Sequence, residues 1–226
     1  MLGLTGFGSA LVTIPLASHF LPLPFALAVF AVVDLTSVVR LGLQRPRDVV
    51  WPECLRMAPM IVIGIVIGST LLLNLPRAAG MVALGTFVVL YALYSLLRHG
   101  PPRTVGRGWA YVAGLAGGLC GSLFGAGGPP YAIYLASRDL DTVGFRATLA
   151  VTAIVSLGVR VIAYAIAGLL SQDGLWYGVA AALPGALLGL ALASHVFVRI
   201  SRATLGRAVA LTLLASGGSL LVRAAG

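Results

Sequence analysis

Residues 111–137 read YVAGLAGGLCGSLFGAGGPPYAIYLAS, and the fold turns on how this stretch meets its solvent. An apolar helical run breaks at Phe124-Gly125-Ala126-Gly127-Gly128-Pro129-Pro130 and then resumes. Within a membrane, such a break frees backbone N–H and C=O groups that lipid cannot satisfy. It is tolerated only where protein buries it or where it lines a polar cavity. Half-helix ends meeting at a Gly-rich loop would direct N–H groups and positive dipole ends at one point, where an anion could sit. A weaker copy opens the chain, with Gly3, Gly6, Gly8 and Ser9 ahead of Ile14-Pro15-Leu16-Ala17-Ser18. Paired interruptions in two halves point to a transporter's binding site.

Composition supplies the solvent. Of 226 residues, 59% are hydrophobic and 9% charged, and the mean hydropathy is +1.03. Soluble domains carry roughly 25% charged residues, so the chain reads as a polytopic membrane protein. The net charge of +9 comes from arginines lying mostly between apolar runs, as cytoplasmic anchors do, and not from a nucleic-acid-binding surface. Cys54, placed in a loop by this reading, and Cys120 suit neither a disulfide framework nor a metal site. No charged n-region or A-x-A site marks a cleaved signal peptide.

Apolar runs of spanning length fall near 4–19, 24–43, 57–74, 78–97, 108–136 (broken), 145–169, 174–196 and 204–223. The expected fold is therefore all-α, with about eight helical segments. Polar or turn-rich joints separate the runs, as at Gln44–Asp48, Arg98–Arg103 and Ser171–Gly174. Asp48 and Glu53 read as loop residues. The halves repeat: a shift of 119 lays Gly6 on Gly125, Gly8 on Gly127 and Ser37 on Ser156, and a shift of 125 lays Pro59 on Pro184 and Arg77 on Arg202. Residues 1–100 and 107–226 are the expected repeats of one integral membrane domain.

Arginine placement decides their relative orientation. If 108–136 crosses once, Arg-rich loops fall on both sides. If it dips in and returns, all four Arg-rich loops share one side, the cytoplasmic one by the positive-inside rule. The second half is then inverted relative to the first, with re-entrant Gly-rich hairpins.

Gly125-Ala126-Gly127-Gly128-Pro129-Pro130, echoed as Gly6-Phe7-Gly8-Ser9-Ala10, resembles the motif pair of the sulfite exporter TauE/SafE family, also called the four-TMS sulfonate uptake or exporter superfamily. The resemblance covers essentially the whole chain through short, glycine-dominated motifs. Family members usually carry an apolar half-helix ahead of the first motif, and here Met1 sits almost directly on it. The first motif reads Gly-Ser-Ala where glycines are typical, and Pro129 stands where a third glycine often does. The resemblance implies a multi-pass protein of the cytoplasmic (inner) membrane that moves small sulfur-containing or organic anions such as sulfite or organosulfonates, and no enzyme. It implies no cofactor, no metal and no nucleic-acid partner. A proton or sodium ion as coupling ion, and a homodimer, stay open.

The expected substrate site gathers Gly6, Gly8, Ser9, Gly125, Gly127, Gly128, Pro129, Tyr131 and Arg160, with Asp34 as coupling or counter-ion residue. Arg160 stands mid-helix, where a charge is costly unless paired or wet. Its guanidinium fork fits sulfonate, sulfite or carboxylate oxygens, but an ion pair with Asp34 explains it equally. The glycines also suit plain close packing of membrane helices. Arg40 reads as an interfacial snorkelling residue, Tyr131 and Tyr134 as cavity-closing or belt aromatics, and Trp51, Trp109 and Trp176 as belt residues. His19, His99 and His195 lie at helix ends without metal-ligand spacing. The expected function is a secondary transporter, an exporter by resemblance. The alternatives are a passive anion channel or a non-transporting accessory subunit.

Overall fold

The computed structural model of the protein describes residues 9–18, 20–42, 48–97, 104–196, 214–215 and 217–219. Among them are eight α-helices, a 3-10 turn and no strand: α1 Ser9–Ala17, α2 Leu23–Gly42, α3 Trp51–Asn74, α4 Arg77–Leu97, α5 Trp109–Phe124, α6 Gly128–Ala136, α7 Thr142–Ile166, the turn Leu169–Ser171, and α8 Leu175–Val196. The protein is an all-α membrane protein. By length and composition α3 and α7 are fully able to cross a bilayer. Their outer faces are as apolar as their inner ones: Val62, Ile63, Val66 and Ile67 of α3 are exposed while Ile61, Ile65 and Leu72 are buried. That pattern suits helices solvated by lipid. The expected segment at 204–223 lies almost wholly outside the described residues.

Local sequence sets the bounds. α3 begins six residues earlier than the apolar run suggests, because Pro52 fits the first turn and Glu53 sits favourably at the positive helix end. Glu53 and Cys54, which hydropathy alone places in a loop, are therefore helical and buried. At its other end the residue before Pro76 is pushed to an extended conformation, Leu75 having φ −76° and ψ 130°. Asp141 caps α7 by accepting the Gly144 N–H at 3.1 Å. Trp51, Trp109 and Trp176 stand in the first turns of their helices and are exposed, as belt residues are.

The decisive segment is a re-entrant hairpin. α5 ends where Gly125 turns left-handed (φ 71°), its N–H bonded to the Gly121 carbonyl at 3.0 Å, with the Ala126 N–H on that of Cys120 at 3.2 Å. α6 then doubles back. At the open end the Val105 N–H donates to the Ser137 carbonyl (3.3 Å), and Arg138 Nη1 donates to the Val105 carbonyl (2.8 Å). Entrance and exit are thus on one face. Sixteen residues of α5 reach about 24 Å, less than the roughly 30 Å hydrocarbon core, so the tip stops inside it.

That face also holds Asp48 to Glu53 and the start of α7, since the Val50 N–H donates to Thr148 Oγ1 at 2.9 Å. Arg56, Arg107, Arg138 and Arg146 lie toward it, which makes it cytoplasmic by the positive-inside rule. α2 runs the other way. Its first residues, with Pro22, meet Leu72, Leu73, Leu75 and Pro76 at the far end of α3, around an apolar cavity of about 230 Å³ that the hairpin tip residues Leu123 and Phe124 close. α2 and α7 are antiparallel neighbours, and Val38 packs on Ala153 and Leu157. α1 and α6 are both nine residues long, and each bound of one lies 119 positions from its counterpart. The helix that follows each, beginning at Leu23 and at Thr142, keeps the same offset.

Glycines hold the hairpin against α3, which runs parallel to α5. A Cβ on Gly118 would fall 2.4 Å from the Ile61 carbonyl oxygen, on Gly64 2.4 Å from that of Leu115, and on Gly114 2.5 Å from that of Met57. Backbone cannot move aside as a side chain can. Gly118→Ala is expected to lower the unfolding free energy of the detergent-purified protein by about 1–3 kcal/mol, whereas Gly158→Ala, where a Cβ meets nothing within 4 Å, is expected to be neutral or slightly stabilising. Thermal unfolding compares the two.

A single crossing of 108–136 would separate the hairpin's ends. In a Cys54→Ala, Cys120→Ala background, Gly106→Cys and Asp139→Cys are expected to react with a membrane-impermeant maleimide from the same side. Labelling from opposite sides would rule out the hairpin.

Candidate anion site at the hairpin tip

The site assembles from three elements. Arg160 lies on α7, about five turns beyond its cytoplasmic start at Thr142, and is only 3% exposed. Its Nη1 donates to the Gly121 carbonyl on α5 at 2.5 Å, the same oxygen that accepts the Gly125 N–H. Nε and Nη2 are buried and have no hydrogen-bond partner among the described residues. These two N–H groups form one edge of the planar guanidinium, the edge that takes two oxygens of a single anion. An orphaned charged edge in the interior is costly unless something occupies it.

Arg160 lines a small cavity, about 20 Å³, together with Asp34, Gly121, Gly125, Gly127, Tyr131, Ala153, Ser156 and Leu157. The volume suits one water-sized occupant. Tyr131 and Ser156 share a hydrogen bond, Oη to Oγ at 3.0 Å. Gly117 makes room for the tyrosine, since a Cβ there would fall 2.1 Å from its ring. Tyr164, one turn beyond Arg160, donates to the Ser122 carbonyl at 2.6 Å, and Ser122 Oγ donates to the Ile65 carbonyl at 3.2 Å, so α7, α5 and α3 are bound at this depth.

The sequence-derived site is partly assembled. Asp34, Gly125, Gly127, Tyr131 and Arg160 line one cavity, whereas Gly128 and Pro129 are buried behind it in the first turn of α6. Gly6 and Gly8 lie outside the described residues, and Ser9 is described only as the first residue of α1; Arg40 is described only as part of α2. The Asp34–Arg160 ion pair, the alternative account of Arg160, is not formed: the ion pairs among the described residues are Glu53–Arg56 and Glu53–Arg138. The tip amides also contribute less than expected. Pro129 and Pro130 bring no N–H to the first turn of α6, and the Gly125 and Ala126 amides already cap α5. Arg160, by contrast, keeps two buried nitrogens without a hydrogen-bond partner among the described residues.

Sequence reasoning missed Ser156 as a site residue, although it lies one helical turn before Arg160 on the same face. It also missed the junction at the hairpin's open end. Glu53, 5% exposed, accepts from Tyr134 Oη at 2.5 Å and from Arg56 Nη1 at 3.2 Å, and pairs with Arg138 Nε at 3.4 Å. Tyr134 thus serves the cytoplasmic junction and not the cavity. Nearby, Cys54 Sγ lies 3.3 Å from Thr152 Oγ1. Glu53→Ala leaves Tyr134, Arg56 and Arg138 without their shared acceptor. The expected cost is about 2 kcal/mol, read as a lower unfolding temperature that Glu53→Gln restores only in part.

Helices with apolar outer faces, an interrupted hairpin and a buried arginine lining a small internal cavity mark a multi-pass membrane protein of the transporter class. The sulfite exporter TauE/SafE family matches residues 1–220, and the chain belongs to that family, whose members are transporters and not enzymes. It is similar to the "Probable inner membrane transporter protein TsaS" of Comamonas testosteroni, at 29% identity over 178 residues covering 77% of this chain and 73% of that protein. It is also similar to the "Probable sulfite/organosulfonate exporter TauE" of Cupriavidus necator, at 26% identity over 227 residues covering 97% and 88%. No solved structure matches the chain. As in those relatives, the setting is the cell's inner membrane.

Proposed function

We propose that the chain is a secondary transporter that exports small sulfur-containing or organic anions, such as sulfite or organosulfonates, with two inverted repeats at 1–100 and 107–226 rocking against each other around a fixed site. The observation that carries this reading is the unpartnered Nε/Nη2 edge of Arg160, buried at the tip of a re-entrant hairpin. A guanidinium edge pairs with two oxygens of a sulfonate, sulfite or carboxylate. The names of the two relatives point to the same substrate class. The shared 119-residue offset of α1 with α6 and of α2 with α7 supports the repeats. At about 20 Å³ the cavity is too small for a sulfur oxyanion, so the conformation described here corresponds to a closed state. Opening requires the hairpin and α7 to separate from α2.

The test is a thermal-shift panel on detergent-purified protein with sulfite, sulfate, thiosulfate, sulfoacetate, taurine, acetate and chloride at matched ionic strength. Binding to the folded state alone stabilises it by about 2.7 kcal/mol at a hundredfold excess over Kd. Selective stabilisation by a sulfur oxyanion is expected, and Arg160→Ala is expected to abolish it while leaving folded protein. Stabilisation that survives in Arg160→Ala would remove Arg160 from the site. A flat panel on folded wild-type protein would overturn the anion-transport reading.

A further inference from the structure

We propose that the cavity takes its anion together with one proton, held on Asp34, so that the transported pair is electrically neutral. This deepens the anion-transport reading of the same cavity and rests on it.

The argument is one of charge and volume. Asp34 on α2 and Arg160 on α7 face one cavity from antiparallel helices. Arg160 directs Nη1 at the Gly121 carbonyl and not at the carboxylate, so the two groups balance in charge while the Nε/Nη2 edge stays free. An anion docked on that edge meets one cation and one carboxylate, leaving a net negative charge in a site walled by Ala153, Leu157 and glycines. Uncompensated charge in such surroundings is strongly unfavourable. It is removed by a co-bound cation or by protonating the carboxylate. The lining offers a metal cation little beyond Asp34, because the Tyr131 and Ser156 hydroxyls are bonded to each other. A proton adds no volume. It further converts Asp34 from an acceptor into an O–H donor, suited to an anion oxygen that the arginine edge leaves unpaired.

No other described group competes for that role. On the elements packed against α2, the titratable or charged side chains near this depth are Arg160 and Tyr164 of α7 and Tyr91 of α4; across the hairpin stand Tyr131 of α6 and Cys120 of α5. Of these only Arg160 and Tyr131 line the cavity. Tyr164 is engaged with the Ser122 carbonyl. α1 and α8 bring no titratable side chain to the lining. The cycle balances: water on the loading side supplies the proton to the Asp34 carboxylate, the anion docks on Arg160, and both leave on the far side.

Methanesulfonate is the probe, because it carries no titratable proton near neutrality and any proton taken up belongs to the protein. Titration calorimetry of the purified full chain in buffers of different ionisation enthalpy counts protons per bound anion. At mildly alkaline pH the expected uptake is close to one, with affinity falling about tenfold per pH unit as pH rises further. Asp34→Asn, a fixed neutral mimic, is expected to bind the anion with no proton uptake and no pH dependence. In wild-type vesicles, an inward methanesulfonate gradient is expected to acidify the lumen at a rate insensitive to a clamped membrane potential. Anion binding without proton uptake, or potential-driven transport without acidification, would overturn proton coupling and leave the anion site standing. Folded wild-type protein that binds no methanesulfonate, and none of the sulfur oxyanions of the thermal-shift panel, would overturn both.

Discussion

Everything in this structure depends on backbone groups that cannot reach water. A chain that stops inside a bilayer must satisfy its amides and carbonyls within the protein, and here the solution is close contact. Gly64, Gly114 and Gly118 bring α3 and α5 together at backbone distance, which fixes the hairpin's depth. The Gly125 turn then returns its own amides to α5. One carbonyl, that of Gly121, keeps a second lone pair for Arg160. The position of the buried cation thus follows from the way the helix was broken.

The two ends of the hairpin have different chemistry. At the open end Glu53 gathers Tyr134, Arg56 and Arg138 into a junction whose charges are compensated. At the tip Arg160 has a carbonyl on one side and, on the other, an edge without a hydrogen-bond partner among the described residues. α6 joins the two, with Tyr131 facing the cavity and Tyr134, not quite one turn later, serving the junction. Any displacement of α6 is therefore felt at both ends.

Much of this was legible in the sequence. Hydropathy gave the membrane class, and the Gly-Pro cluster at 125–130 marked the interruption. Arginine placement favoured a return over a crossing, and the Val105–Ser137 bond realises that return. Arg160 and Asp34 stood out because charge is rare at mid-helix, and both reach the cavity. What escaped was what hydropathy does not encode. Glu53 and Cys54 read as loop because a Trp-Pro-Glu start is polar, although that same chemistry begins a helix. The direction of the Arg160 guanidinium depended on a carbonyl 39 positions away, which no local pattern reveals. The two prolines of α6 were read as loop markers, while their missing N–H groups bear more on the site.

Those prolines set what kind of selectivity is available here. A nest of backbone amides attracts negative charge of almost any shape, halides included. With Pro129 and Pro130 in the first turn of α6 and the Gly125 and Ala126 amides capping α5, that undiscriminating attraction is reduced. Under the proposed function, more of the recognition then falls to a flat, two-pronged cation edge, which engages a pair of oxygens better than a sphere. On the anion-transport reading, a membrane bathed in chloride is no handicap to this protein: the hairpin that admits an oxyanion offers a halide little to hold.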